Sequence, residues 1–303
     1  MTDSAGMVVA RRDAASRVAN MSVSAQQQSV TLPSGERVPA LGLGTWGLGE
    51  DARHHDDEVA AVRAAIDLGM TVIDTAEMYG DGASERLVGE AIAGRRDDVF
   101  LVSKVLPEHA TRKQTVAACA KSLERLGTDH LDLYLLHWRE RTPLRETVAA
   151  FSQLQEEGKI RQWGVSNFEL SDMKELLAVP GGAAVSCNQV LYNLSRRGIE
   201  FDLLPWCRER GIAIMAYSPI EQARLLRRKV VKEVAVRRAV TPAQVCLAWV
   251  LREPGVIAIP KAGSIEHVRE DYASRSLKLT DDDYAELDEA FPPPSEPRPL
   301  EML

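Results

Sequence analysis

The chain reads as an α/β protein built on one (β/α)8, or TIM, barrel, and three observations carry that expectation. Eight short apolar strands recur at roughly 25–35-residue spacing, amphipathic helical stretches separate them, and five of the strands finish on a residue that can react or hydrogen-bond. In such a barrel the C-terminal strand ends form the rim where chemistry is done, so polar groups placed there predict an enzyme.

The elements follow in order. Residues 1–28 are rich in Ala, Ser, Gln and Val and carry Arg11, Arg12 and Arg17, with no apolar stretch long enough for a secretory signal. They read as a disordered extension, with Met21 as a natural start, ahead of a single domain over 29–303. The stretch 30–38 alternates around Pro33-Ser34-Gly35 and predicts an N-terminal β-hairpin. Strands are expected over 41–45, 70–74, 99–104, 131–137, 160–166, 184–189, 213–217 and 256–260. Helical periodicity covers 57–68, 84–93, 113–126, 145–157, 171–178, 198–210 and 264–274. Two extra helices exceed the simple repeat. Thr241 caps the first, with Pro242 at its opening position. Thr280 starts the second, where Asp281, Asp282 and Asp283 suit the helix dipole. The tail after Phe291 begins with three prolines and is short, which predicts an open mouth and broad substrate tolerance.

Composition narrows the function. Hydrophobic residues make up 45% of 303, and no apolar run approaches the roughly 20 residues of a membrane span. A net charge of −7 argues against nucleic acid or an anionic membrane as partner, although local cations can still hold an anionic cofactor. Cys119, Cys187, Cys207 and Cys246 show no metal-like or redox spacing and read as reduced core thiols of a cytoplasmic protein. A monomer is the default expectation.

One motif is a decoy. Gly42-Leu-Gly44-Thr-Trp-Gly47 fits a dinucleotide-binding turn, but that turn needs a helix opening at its third glycine. Here the helical pattern starts only near Asp57. The informative set is Asp74, Tyr79, Lys104 and His137, at one end of three consecutive strands. Singly, each has a bland explanation as a turn cap, a loop aromatic, a rim ion pair or a satisfied polar residue. Together they suit protonation of an oxygen while something else attacks its carbon. A free phenol titrates near 10; a neighbouring ammonium is expected to lower that, and a carboxylate keeps the ammonium charged. A neutral imidazole alongside can orient the substrate oxygen. A metal-dependent hydrolase or isomerase using Asp74, Glu77 and His137 is the rival reading, and it lacks further ligands at the other strand ends.

Other candidates read as structure. His54-His55-Asp56-Asp57-Glu58 is a solvated loop with Asp56 or Asp57 as helix cap, and Arg227-Arg228-Lys229 is a solvated face. Trp163, Trp206 and Trp249 are expected in the core, and Asp132 is expected to be buried without an assignable role.

The tetrad, together with Gly164-Val-Ser166-Asn167-Phe, Asn188-Gln189, Ala216-Tyr217-Ser218-Pro and Ile259-Pro-Lys261, resembles the aldo-keto reductase superfamily. The likeness runs from about Ser29 to Pro294 and is nearest to bacterial single-domain members that reduce methylglyoxal and other small aldehydes. The resemblance implies NADPH-dependent reduction of a small carbonyl substrate, with Tyr79 as general acid, Asp74 and Lys104 tuning it, and His137 orienting the carbonyl. It further implies that Ser166, Asn167 and Gln189 hold the nicotinamide carboxamide and that Tyr217 stacks on the ring. Gly44 and Thr45, with Ser218 through Leu225, would meet the sugar and pyrophosphate, and Trp46 would also contact the cofactor. Lys261 would meet the 2′-phosphate, favouring NADPH over NADH, Ser264 would also contact the cofactor, and His267, Glu270 and Asp271 would lie on the adenine side. Trp46 and Trp138 would line the substrate mouth. The chain departs from the family pattern where His267 stands for a common arginine, Asp271 for a common asparagine, and Arg224 near a common glycine. A non-catalytic NADPH-sensing barrel is the alternative within the same family.

Overall fold

The computed structural model describes residues 29–303, and the extension expected over 1–28 lies outside the described residues. The chain opens on the expected hairpin, β1 (Ser29–Thr31) against β2 (Arg37–Pro39), antiparallel with Val30 opposite Val38. Eight parallel strands then pair in chain order: β3 (Leu43–Gly44), β4 (Val72–Asp74), β5 (Phe100–Val105), β6 (Leu131–Leu136), β7 (Ile160–Ser166), β8 (Cys187–Leu191), β9 (Ala213–Tyr217) and β10 (Val256–Ala258). Parallel bridges from Leu41 to Ala258 and from Gly44 to Lys261 close the ring. Parallel neighbours require long crossovers, and helices supply them. These are α1 (His55–Leu68), α2 (Ala83–Ala91), α3 (Arg112–Leu126), α4 (Leu144–Glu156), α5 (Leu170–Ala178) and α6 (Leu203–Glu209). Between β9 and β10 stand α7 (Lys229–Arg238) and α8 (Pro242–Leu251), and α9 (Ile265–Ala273) and α10 (Asp281–Ala290) follow β10. Among the described residues, no single helix is long and apolar enough to cross a membrane.

Alternation along the strands sorts the side chains into two cores. Inside the ring, Val72, Phe100, Val102, Leu133, Leu135, Cys187, Ala213, Met215 and Ile257 pack together, and Val30, Leu32, Val38 and Ala40 of the hairpin segment join them. The alternate residues, such as Leu101, Tyr134, Val165 and Ile214, pack outward against the helices. Because side chains repeat every second residue, each inward apolar column continues to a fixed position at the rim. Val72 leads to Asp74, Val102 to Lys104, Leu135 to His137, Cys187 to Gln189 and Met215 to Tyr217.

Several elements differ from the expectation. Helix α7 was not anticipated: Val231, Val234 and Ala235 are buried, but Val236 is 82% exposed and the basic start masks the stripe. Helix α6 begins at Leu203, where the Asp202 side chain accepts from the Leu203 amide, and a 3-10 turn occupies Gly198–Glu200. The β8 strand starts at Cys187 because Gly182–Ala184 closes a 3-10 turn behind α5. His54, not Asp56 or Asp57, is the N-cap of α1. Trp163 and Trp249 are fully buried, whereas Trp206 is half-buried beneath the Arg210 guanidinium, 4.2 Å from its ring. Asp132 gains a role. Its Oδ2 accepts from the Leu101 amide at 2.7 Å, and the carboxylate pairs with Arg96 and Arg161. All four cysteines are free and buried, and burial pushes the Cys119, Cys207 and Cys246 thiols up to about 12, leaving little thiolate.

The last helix is docked electrostatically. Asp283 is buried, closes the capping box with Thr280, and receives Arg237 at 2.8 Å and Arg238 at 2.5 Å. Burial works against its charge, but the Thr280 amide and the two guanidiniums outweigh burial and hold the carboxyl well below its usual range. A depressed folded-state value contributes stability above the unfolded pKa, and that stability is lost as pH falls. Asp283→Ala is therefore expected to lower unfolding free energy by roughly 3 kcal/mol at neutral pH, the gap narrowing below about pH 4. Urea titrations at the two pH values check this, and a gap that does not narrow in acid contradicts it.

Candidate active site

Lys104 lies at the centre of the rim, with no exposed surface. Its Nζ donates to Asp74 Oδ2 at 2.8 Å, to the Thr75 carbonyl at 2.9 Å and to Tyr79 Oη at 3.0 Å, so all three of its hydrogens are placed. Register makes this possible: β4 pairs with β5 so that Asp74 sits beside Val102, two residues before Lys104. Tyr79 reaches the amine from a tight turn in which Gly80 and Asp81 adopt left-handed backbone, φ 55° and 49°. The Glu77 side chain anchors that turn, since its Oε1 accepts from the Leu106 amide at 2.8 Å and contacts His109 Nδ1 at 2.9 Å. His137 meets Tyr79 edge-on at 5.9 Å between centroids and Trp138 at 5.0 Å. The four tetrad residues thus converge. Glu77 faces His109 instead, and no three His, Cys, Asp or Glu residues among those described are grouped to hold a metal ion.

The electrostatics correct one expectation. Burial pushes the Tyr79 phenol above its ordinary value; Lys104 pulls it back and Asp74 adds to the rise. The ammonium therefore limits the rise and does not produce a net fall. Lys104 loses by burial but gains more from Asp74 and Tyr79, so it stays protonated. His137 is lowered to about 3, first by burial and then by Lys104, and is a neutral imidazole at neutral pH. Its Nδ1 is buried with no hydrogen-bond partner among the described residues.

A second group stands across the rim. Ser166 Oγ donates to the Gln189 carbonyl at 2.9 Å, and Asn167 Nδ2 donates to the His137 carbonyl at 3.1 Å and to Ser166 Oγ at 3.2 Å. Asn167 takes left-handed backbone, φ 58°, and its Oδ1 accepts from Tyr217 Oη at 3.0 Å, which holds the aromatic ring over the site. Gln189 Nε2 donates to Asp74 Oδ1 at 2.8 Å and so joins this group to the tetrad.

The remaining predicted residues form an outer arc. Gly44 is needed by packing: a Cβ there would lie 2.8 Å from the Ile259 carbonyl. The buried Thr45 hydroxyl donates to the Asp74 carbonyl at 2.9 Å and accepts from Ser84 at 2.7 Å, so the fold already engages it. In the loop after β9, Ser218, Glu221, Gln222 and Ala223 all have positive φ, and Leu225 is buried at its end. Glu221 is buried and accepts from Asn193 at 2.8 Å and from Arg196 at 2.9 Å, while the exposed Arg224 stands 3.6 Å away. Ser264 caps α9 by accepting from the His267 amide, and the His267 ring is exposed. Lys261 is exposed with no ion pair among the described residues. Asp271 is buried beside Glu270, and its carboxyl has no hydrogen bond or ion pair among the described residues; burial, then Glu270, pushes it up to about 8. Two features fit a nicotinamide dinucleotide phosphate: an amide oxygen on Gln189 with no hydrogen bond among the described residues, and the exposed cation Lys261, unpaired among them.

The mouth is less open than expected. The tail turns back over it, with the Leu300 amide donating to Glu169 at 3.0 Å and Glu301 pairing with Arg196. Leu300 and Met302 line a cleft of about 360 Å³ with Trp138, Arg139 and Asn167. Trp46 is 55% exposed on the rim. The Arg196–Glu221 and Glu77–His109 pairs left no signal in the sequence, because nothing in spacing or periodicity links their partners.

Comparison with known proteins agrees with this geometry. The profile of the Aldo/keto reductase family matches residues 40–291. The chain is 50% identical over 283 residues to the methylglyoxal reductase YeaE of Escherichia coli K12, covering 92% of this chain and 100% of that one. It is 33% identical to a glyoxal reductase of Bacillus subtilis, covering 86% and 92%. A crystal structure of an aldo/keto reductase from Klebsiella pneumoniae in complex with NADP and acetate superposes with TM-score 0.89 at 51% identity, covering 91% of this chain and 99% of that one. The chain belongs to the aldo/keto reductase family and is an oxidoreductase.

Proposed function

We propose that this protein reduces small aldehydes and ketones, methylglyoxal among them, using NADPH, and that Tyr79 is the proton donor. The observation that carries this is the buried Lys104 ammonium, bonded at once to Asp74 and to the Tyr79 hydroxyl beside a neutral His137. The relatives named for methylglyoxal and glyoxal reduction, and the neighbour crystallised with NADP, support the substrate class and cofactor.

When bound, the reduced nicotinamide supplies a hydride to the carbonyl carbon. The protein's part is proton supply and orientation. A phenol kept at or above its ordinary pKa is fully protonated at neutral pH and therefore available as an acid. It gives up its hydrogen as negative charge builds on the substrate oxygen, and Lys104 stabilises the phenolate left behind. His137, neutral, presents a ring N–H to the same oxygen. Ser166, Asn167 and Gln189 would hold the carboxamide, Tyr217 would support one face of the ring, and Lys261 would meet the 2′-phosphate. Trp46, Trp138 and the returning tail would shape a cleft suited to small carbonyls.

Three outcomes are expected. Tyr79→Phe should lower kcat roughly a thousandfold while NADPH affinity stays within about twofold, read from NADPH absorbance with methylglyoxal and from fluorescence titration. A variant turning over at the wild-type rate, or a wild type inert toward a panel of small carbonyls, defeats the proposal. The rate should show no acid limb near pH ~6.5, because His137 is already neutral there. Asp271→Asn should stabilise the protein more at pH ~8 than at pH ~5. A raised folded-state carboxyl contributes stability below its unfolded value near pH ~4 and loses it as pH rises toward its folded one. Thermal melts should show the variant several degrees ahead at the higher pH, and an equal gain at both would contradict the assignment of an uncompensated acid.

A further inference from the structure

We infer that Gln189 is a positioning residue that couples nicotinamide binding to the proton donor, acting through Asp74. This rests on the reductase reading above and goes beyond a carboxamide contact. The carboxylate of Asp74 is shared between two donors: Lys104 Nζ on Oδ2 and Gln189 Nε2 on Oδ1, each at 2.8 Å. An ionised carboxylate only accepts, so the amide must turn its nitrogen toward Asp74, and chemistry settles which end of the glutamine points where. The same nitrogen stands 2.8 Å from Met215 Sδ, which engages the second amide hydrogen. Gln189 Oε1 then faces the other way, with no hydrogen bond from the described residues.

The neighbouring groups have the same polarity. Ser166 gives its hydrogen to the Gln189 carbonyl, Asn167 gives both amide hydrogens to the His137 carbonyl and Ser166, and Asn167 Oδ1 already accepts from Tyr217. The donors of this cluster are committed to the fold, and what Gln189 has left is an acceptor. A primary carboxamide presents two N–H groups and matches it. An N–H donated to Oε1 polarises the amide and strengthens its own N–H toward Asp74. With Asp74 better satisfied, less of its charge opposes the field of Lys104 at the phenol. The groups facing Tyr79 are Lys104, Asp74, the neutral His137 and, more distantly, Tyr217. Asp74 is the one of these that Gln189 touches directly through a charged group. Binding of the nicotinamide would thereby make the proton donor more acidic at the moment it is needed.

The test uses the full chain and Gln189→Met, which keeps length and burial but has no donor. In the wild type, NADPH, whose reduced ring carries no charge of its own, is expected to lower the titration midpoint of the Tyr79 phenol, read by ultraviolet difference absorbance against Tyr79→Phe. In Gln189→Met the midpoint should sit about half a unit or more higher and no longer respond to NADPH. The kcat at saturating NADPH should fall about five- to tenfold. In an Asp74→Asn background, adding Gln189→Met should move the midpoint no further. If the methionine variant does not fold, Gln189→Asn, which keeps an amide without its reach, should show the same loss of response. A variant that weakens only NADPH affinity, with titration and saturated kcat unchanged, overturns the inference and leaves Gln189 a plain cofactor contact. The titration needs no turnover, so an absence of reductase activity would defeat the functional proposal while still deciding this one.

Discussion

The site depends on a lysine ammonium with no access to solvent. Burying such a charge alone would cost several kcal/mol, and the group would surrender its proton first. Here Asp74, the Thr75 carbonyl and the Tyr79 hydroxyl take one hydrogen each, so the charge persists inside the protein. Three structural requirements follow. The β4–β5 register must hold Asp74 beside Val102, so that Lys104 two residues on reaches back to its carboxylate, the turn after β4 must bring the phenol back over the amine, and water must stay out. Glu77 serves the second by tying the turn to the segment after β5.

The balance between burial and that cation sets the state of the Tyr79 phenol. An ammonium beside a phenol suggests a lowered pKa, yet desolvation of the phenolate is the larger effect and the net direction is upward. The arrangement keeps the phenol protonated while placing an ammonium within hydrogen-bond reach of its oxygen. The same desolvation neutralises His137, so Lys104 carries the positive charge at the centre of the tetrad. Asp74 sets how strongly that charge is felt at the phenol, and Gln189 has direct hold of its other oxygen.

Below the rim, the barrel is plain hydrophobic packing, and this is what makes the rim rigid. The hairpin segment shares the interior core with the strands, supplying apolar surface that the short strands could not provide. The outer arc is built differently. The loop after β9 holds four non-glycine residues at positive φ, conformations that persist only when surrounding contacts impose them. Arg196 supplies such contacts by gripping Glu221 of that loop and Glu301 of the tail. The loop after β9 and the tail over the mouth thus share one cation.

By itself, the sequence determined the barrel, the hairpin and the tetrad. Strand periodicity is a local property, and a polar residue at the end of an apolar run stays legible whatever the strand later packs against. It also marked Gln189 as a rim residue, though not what that residue would touch. Helix α7 escaped because its apolar stripe is three residues wide and framed by charge. The direction of the Tyr79 shift escaped because desolvation is a property of the assembled surroundings, absent from any list of neighbours in the chain. The Glu77–His109 and Arg196–Glu221–Glu301 pairings, the bond from Gln189 to Asp74 and the folding of the tail over the mouth were decided only in three dimensions. Each joins residues whose separation along the chain carries no signal, and each depends on register and burial that exist once the ring has closed.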